Sequence, residues 1–160
     1  MMYNKKGNYK GESKMKFKAS SEALGFQLKD VKSIGSYLAR NKENMLNQNL
    51  AAHLNMLLNE KDLKIADVIR GSCLDRSYVY QIFSGEKTPS RDKLIAIAFG
   101  LHLTEEETQR MLKLSGNREL YVRDPRDTVI LFAIQRNMDI FDANILLDEY
   151  DFNILGNTIK

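Results

Sequence analysis

Residues 63–104 read LKIADVIRGSCLDRSYVYQIFSGEKTPSRDKLIAIAFGLHLT, and the punctuation of this stretch decides the fold. Ile65, Val68 and Ile69 recur at helical spacing and predict a short helix over 65–71. SCLD at 72–75 turns the chain, and Asp75 is a favoured N-cap type for a new helix. RSYVYQIFS, residues 76–84, is that helix, and Gly85 supplies the left-handed residue that commonly ends one. Thr88 and Pro89 then read as N-cap and first-turn residue of a helix over 89–100. Thr104 with Glu107 forms a capping box for another over 105–115.

Upstream, Leu46, Leu50, Leu54, Leu57 and Leu58 follow three-and-four spacing and predict a long helix ending near Asn59. Residues 28–39 place Leu28, Val31, Ile34 and Leu38 on one helical face, a helix expected to dock on the main domain. Residues 1–18 hold six lysines and almost no aliphatic side chains, and are expected to be a disordered basic arm. Met15 inside it is a second candidate for the start of translation. No alternating β-branched run or Asn-Gly hairpin occurs, so the expected fold class is all-α.

The last third repeats what precedes it. A shift of 35 residues aligns Arg91-Asp92 with Arg126-Asp127, Ile95 with Ile130, Ala98 with Ala133 and Leu112 with Leu147. Pro125 follows Asp124 as Pro89 follows Thr88. Residues 116–155 therefore read as a second helical hairpin, whose Val129, Phe132, Ala133, Met138, Ile145 and Leu146 are expected to dock on the pair before it. Shared amphipathicity and duplication both account for the likeness.

Within residues 76–84 the chemistry is sorted by face. At 100° per residue, Arg76, Ser77, Tyr80, Gln81 and Ser84 fall within an arc of about 140°. Tyr78, Val79, Ile82 and Phe83 occupy the other side. One face suits a core and the other offers a planar cation, an amide and hydroxyls. Arginine pairs bidentately with guanine and glutamine with adenine, so these are groups that read base edges.

Short helix, tight turn, capped helix ending in glycine and then a further helix is a layout that resembles the lambda-repressor/Cro-like, or xenobiotic-response-element, helix-turn-helix family. The resemblance covers roughly residues 46–110, and DRSYVYQIFSGEKTPS, residues 75–90, is its most specific part. It implies a five-helix DNA-binding domain over 46–115, with residues 76–84 entering the major groove of double-stranded DNA as a transcriptional regulator. The site residues it implies are Lys64, Arg76, Ser77, Tyr80, Gln81, Ser84 and Lys87. It also implies a homodimer. Four positions depart from the family pattern: Lys64 and Ile65 replace a polar cap and a glutamine, Ile69 replaces a small residue, and Cys73 replaces a turn glycine. Cys73 must then adopt the backbone angle glycine normally provides.

Composition narrows the remaining classes. The 160 residues, 43% apolar and 28% charged, suit a globular chain with its own core. Cys73 is the only cysteine, which rules out an internal disulfide. No apolar run reaches the ~18 residues a membrane span needs, and no signal peptide is legible, so no membrane association and a cytoplasmic location are expected. The net charge of +3 divides into +6 over residues 1–45, +1 over 46–104 and −4 over 105–160. A basic end is suited to a polyanion and an acidic end is not. His53, His102 and Cys73 show no zinc-ligand spacing, and no nucleophile has a base nearby in sequence. The expectation is a non-enzymatic protein with no cofactor or metal. The competing expectation is a protein-interaction adaptor on the same fold, antitoxin-like or antagonist, with a partner held by the C-terminal hairpin.

Overall fold

A computed structural model describes residues 18–156. Its described residues are helical, with no strand among them. In chain order the α-helices are α1 (Ser21–Asp30), α2 (Ile34–Arg40), α3 (Leu46–Glu60), α4 (Ile65–Ser72), α5 (Arg76–Ser84), α6 (Arg91–Gly100), α7 (Glu105–Leu114), α8 (Pro125–Gln135) and α9 (Ile140–Glu149). A single 3₁₀ turn, Lys42–Asn44, links α2 to α3.

The long helix, the turn-linked pair and the hairpin at the C-terminus fall where the sequence predicts. Three expectations need correction. The helix expected over 28–39 is two helices, because Ser33 caps α2 through Ser36 N–H and leaves Val31-Lys32-Ser33 as the break. Its apolar face does not dock: Leu28, Ile34 and Leu38 are exposed. The helix expected from Pro89 starts at Arg91 with Ser90 as its cap, while Pro89 is buried in the approach. Of the hairpin residues expected in the core, Ala133 is buried but Phe132 and Ile145 are exposed. The basic segment 1–18 lies outside the described residues except for Lys18, whose ammonium pairs with Glu43.

One continuous core runs from Leu50 to Leu155. Helix α6 is its centre, with every residue from Leu94 to Leu101 buried. Such a helix cannot have a polar side, so it must be covered all round. Helix α4 crosses it at close range, and Gly100 makes the approach: a Cβ there would lie 2.8 Å from Val68 O and 3.2 Å from Val68 Cα. Gly100→Ala is therefore expected to lower stability by about 1–3 kcal/mol through overpacking. That loss comes despite the roughly 1 kcal/mol by which alanine is favoured in helices. Thermal unfolding of the folded variant checks the sign.

The 35-residue likeness extends from the sequence to the geometry. Unit 1 (α6–α7) and unit 2 (α8–α9) match at the 35-residue shift in their helix ends, hydrogen bonds and ion pairs. His102 and Asn137 both take φ of 55°, and Gly116 and Asp151 both take positive φ, at 79° and 65°. Gln109 holds both backbone groups of Leu120 (2.7 and 2.8 Å), and Asn144 holds both of Leu155 (2.8 and 3.0 Å). Arg91 Nε donates to Arg118 O and Arg126 Nε to Asn153 O. The units are then cross-linked reciprocally: Arg91 pairs with Asp127 at 2.8 Å and Arg126 with Asp92 at 2.9 Å. Helix α6 meets α9 and α7 meets α8. Reciprocal contacts of this kind are those of an approximate twofold axis. A small cavity of about 80 Å³ sits on it, lined by the equivalent pairs Phe99/Ile134, His102/Asn137 and Leu103/Met138.

Candidate nucleic-acid interface

Helices α4 and α5 are joined by Cys73-Leu74-Asp75. Cys73 adopts φ 58°, the left-handed conformation that its position demands and that glycine would adopt without strain. Leu74 is buried, pinning the turn to the core, and Leu74 N–H donates to Ser72 Oγ at 3.3 Å. Burial pushes the Cys73 thiol up from its ordinary pKa, and the Asp139 carboxylate adds to the effect, so the sulfur stays protonated at neutral pH. The chain's far end closes over this turn. A Cβ on Gly156 would lie 2.7 Å from Cys73 Cβ and 2.9 Å from Ser72 O. The segment that follows α9 thus abuts the motif that the sequence singled out.

Helix α5 has the predicted division. Val79, Ile82 and Phe83 are buried, while Arg76, Ser77, Tyr80 and Ser84 are exposed and Gln81 is half-buried. The Arg76 guanidinium lies over the Tyr80 ring at 5.5 Å, which preorganises two of the candidate contacts. Asp75, Arg76, Ser77, Tyr80 and Gln81 together line one shallow, open depression. Lys64 is exposed at the start of α4 and Lys87 is exposed just past α5.

Local details differ from the sequence reading in two places. Asp75 occupies the N-cap position without capping, and its carboxylate accepts from Ser77 Oγ at 3.2 Å. Ser77 is thus engaged by an exposed anion at the edge of the face, and Ser84 Oγ donates to its own helix at Gln81 O (3.1 Å). At the start of α4, Asp67 accepts from Lys64 N–H at 2.8 Å. The Lys64 ammonium has no lone pair with which to complete a capping box, so it is left outward.

Sequence reasoning missed the residues that set the height of α5. Asn47 and Gln48 of α3 both donate to Gly85 O, and Asn55 donates to Phe83 O at 2.9 Å. Carbonyls at a helix end have no partner within the helix. Here three amides from a neighbouring helix supply them, fixing α5 along its axis. The available signal was amides interrupting a leucine-rich helix. On the inner side, Lys93 Nζ lies 5.4 Å from the Tyr78 ring, and burial raises the Tyr78 pKa.

Among the described residues no helix is long and apolar enough to cross a membrane. Comparison with protein-family models, with curated proteins and with solved structures found no match for this chain.

Proposed function

We propose that the chain binds double-stranded DNA sequence-specifically through α4 and α5, as a lambda-repressor/Cro-like helix-turn-helix, and acts as a non-enzymatic transcriptional regulator in the cytoplasm. The observation that carries this reading is α5 itself. It is locked by buried Val79, Ile82 and Phe83 on one side and by three α3 amides at its end. It offers Arg76, Tyr80 and Gln81 to one open depression on the other. A rigid helix presenting a guanidinium and an amide suits the major groove. Lys64 and Lys87 flank the face and are assigned to phosphate, together with Ser77 and Ser84 at its margin.

A second reading, a protein-interaction adaptor, draws on Asp75 at the edge of this face, where a carboxylate would repel phosphate, and on the −4 charge of residues 105–160. One experiment separates the two. The protein is used to enrich a random duplex pool at near-physiological salt, and Ala variants are titrated against the enriched and scrambled duplexes. Arg76→Ala and Gln81→Ala are each expected to cost about 1–3 kcal/mol on the enriched site, with relaxed preference at one or two base pairs. Losses on scrambled duplex should be much smaller. Equal losses on both would reduce the two side chains to phosphate contacts. No enrichment, with neither substitution altering binding, would favour the adaptor.

A further inference from the structure

The C-terminal end of α5 shares its surroundings with a part of the chain outside the helix-turn-helix. Ser84 falls near the middle of the arc that also holds Arg76, Tyr80 and Gln81. It lines an open groove together with Leu38 of α2, Lys42 of the 3₁₀ turn and Thr88. The corner between α2 and α3 therefore stands at the end of the face assigned to DNA.

Side-chain amides hold that corner in place. Asn47 and Gln48, in the first turn of α3, donate to Gly85 O at the end of α5. Asn49 Nδ2 donates to Glu43 O (2.7 Å) and to Met45 O (3.3 Å), tying the 3₁₀ turn to α3. Asn41, 5% exposed, donates to Tyr37 O (3.1 Å) and accepts from Asn44 Nδ2 (3.2 Å), which joins the turn to α2. The corner is thus fixed relative to α5 by a run of hydrogen bonds.

Its charge is partly unpaired. Lys18 pairs with Glu43, but Arg40 and Lys42 are exposed and meet no carboxylate among the described residues. Arg40 lines a second groove with Lys32, Ser33, Ser36 and Asn41. The nearest carboxylates are Asp30 in that groove and Glu86 in the first, and neither forms an ion pair with them. A helix of about 10–12 Å diameter fills a major groove about 12 Å wide, so a phosphate strand runs along each side of it. Whatever stands beside such a helix meets phosphate.

We propose that the α2–3₁₀ corner is a second DNA contact, in which Arg40 and Lys42 hold phosphates of the strand that flanks the C-terminal end of α5. This contact sets the angle at which α5 enters the groove. The inference rests on the DNA-binding reading and adds to it residues from outside the helix-turn-helix.

Arg40→Ala/Lys42→Ala, checked for an unchanged thermal melt, is titrated against enriched and scrambled duplexes over a series of salt concentrations. Losing two phosphate contacts should flatten the slope of log affinity against log salt by about 1.8. Affinity should fall by the same factor on both duplexes, unlike the Arg76→Ala and Gln81→Ala losses, and the enriched motif should stay the same. Hydroxyl-radical cleavage should show protection lost on the flank of the motif and kept within it. Lys113→Ala/Arg123→Ala removes the same charge from the end of α7 and the loop before α8, and should leave slope and footprint as in the wild type. Equal flattening in both double variants overturns the inference, since net charge alone then accounts for it. An unchanged slope and footprint in Arg40→Ala/Lys42→Ala overturns it as well. In either case the reading of α5 survives, provided that the enriched motif still depends on Arg76 and Gln81. A wild-type chain that enriches no motif and leaves no footprint removes the α5 reading and the corner contact together.

Discussion

Asp127→Ala is expected to destabilise the chain by about 3–5 kcal/mol, the cost of breaking a buried ion pair and leaving its partner behind. Asp127 is 1% exposed and is the centre of the junction between the repeats. Its carboxylate accepts from Arg91 (2.8 and 3.2 Å), from Arg118 (3.0 Å) and from Tyr121 N–H (3.0 Å). Without it, Arg91 keeps, among the described residues, the carbonyls of Arg118 and Glu119, while the half-exposed Arg118 keeps the longer pair with Asp124 (3.9 Å). The repeat supplies an internal control. Asp92 makes the equivalent pair with Arg126, but its side chain is 48% exposed, so Asp92→Ala should cost about 0–1 kcal/mol. Chemical denaturation of the two variants gives the comparison. Equal small losses would mean that the junction is held by its apolar contacts alone.

The same carboxylate makes a pH prediction. Burial would raise its pKa, but hydrogen bonds from Arg91 and Tyr121 and the charges of Arg91 and Arg118 outweigh burial and hold it below the ordinary value. A group depressed in the folded state stabilises fully above its unfolded pKa, about 4 for aspartate, and loses that contribution as pH falls through its folded pKa. Acid unfolding should therefore steepen below about pH 4 in the wild type. The Asp127→Asn variant should lack that component.

Legibility of the fold in the sequence varied from residue to residue. Helix ends fixed by local side chains were legible: Thr104 with Glu107, Asp124 before Pro125, and Gly85 in the left-handed conformation. The break at Ser33 was hidden because apolar spacing ran straight across a serine that caps the next helix. In α8 the run Val129–Ile134 is apolar on every side, so periodicity assigns it no face. Whether Phe132 meets a core or water then depends on which neighbour exists, and sequence spacing does not contain that. The two faces of α5 were legible, since a nine-residue helix sorts its side chains by angle alone. Its support from Asn47, Gln48 and Asn55 was not, because those partners lie 28 to 38 residues away.

Removing residues 117–160 is expected to unfold the remaining chain or drive it into aggregates, because unit 2 completes the core of unit 1. Phe99 and Leu103 line the cavity between the units, and both are buried with unit 2 in place. Uncovering each forfeits about 1.5–3 kcal/mol of burial. The cut also takes Leu120 from the two bonds of Gln109 and Asp127 from Arg91. Against a total stability of about 5–15 kcal/mol for a domain, these losses are a large fraction. Position adds to magnitude: Gly156 closes over Cys73 and Ser72, so the α4–α5 turn loses its outer wall in the same cut. Supplying residues 117–160 as a separate fragment should restore helicity and a cooperative melt, since the fragment carries the groups of residues 118–127 that Arg91 and Gln109 bind. Circular dichroism of the truncated chain, with and without the fragment, makes the measurement. A truncated chain that melts cooperatively at the wild-type temperature would show unit 2 to be an appendage, and the twofold junction would then carry none of the stability of the helices that hold α5.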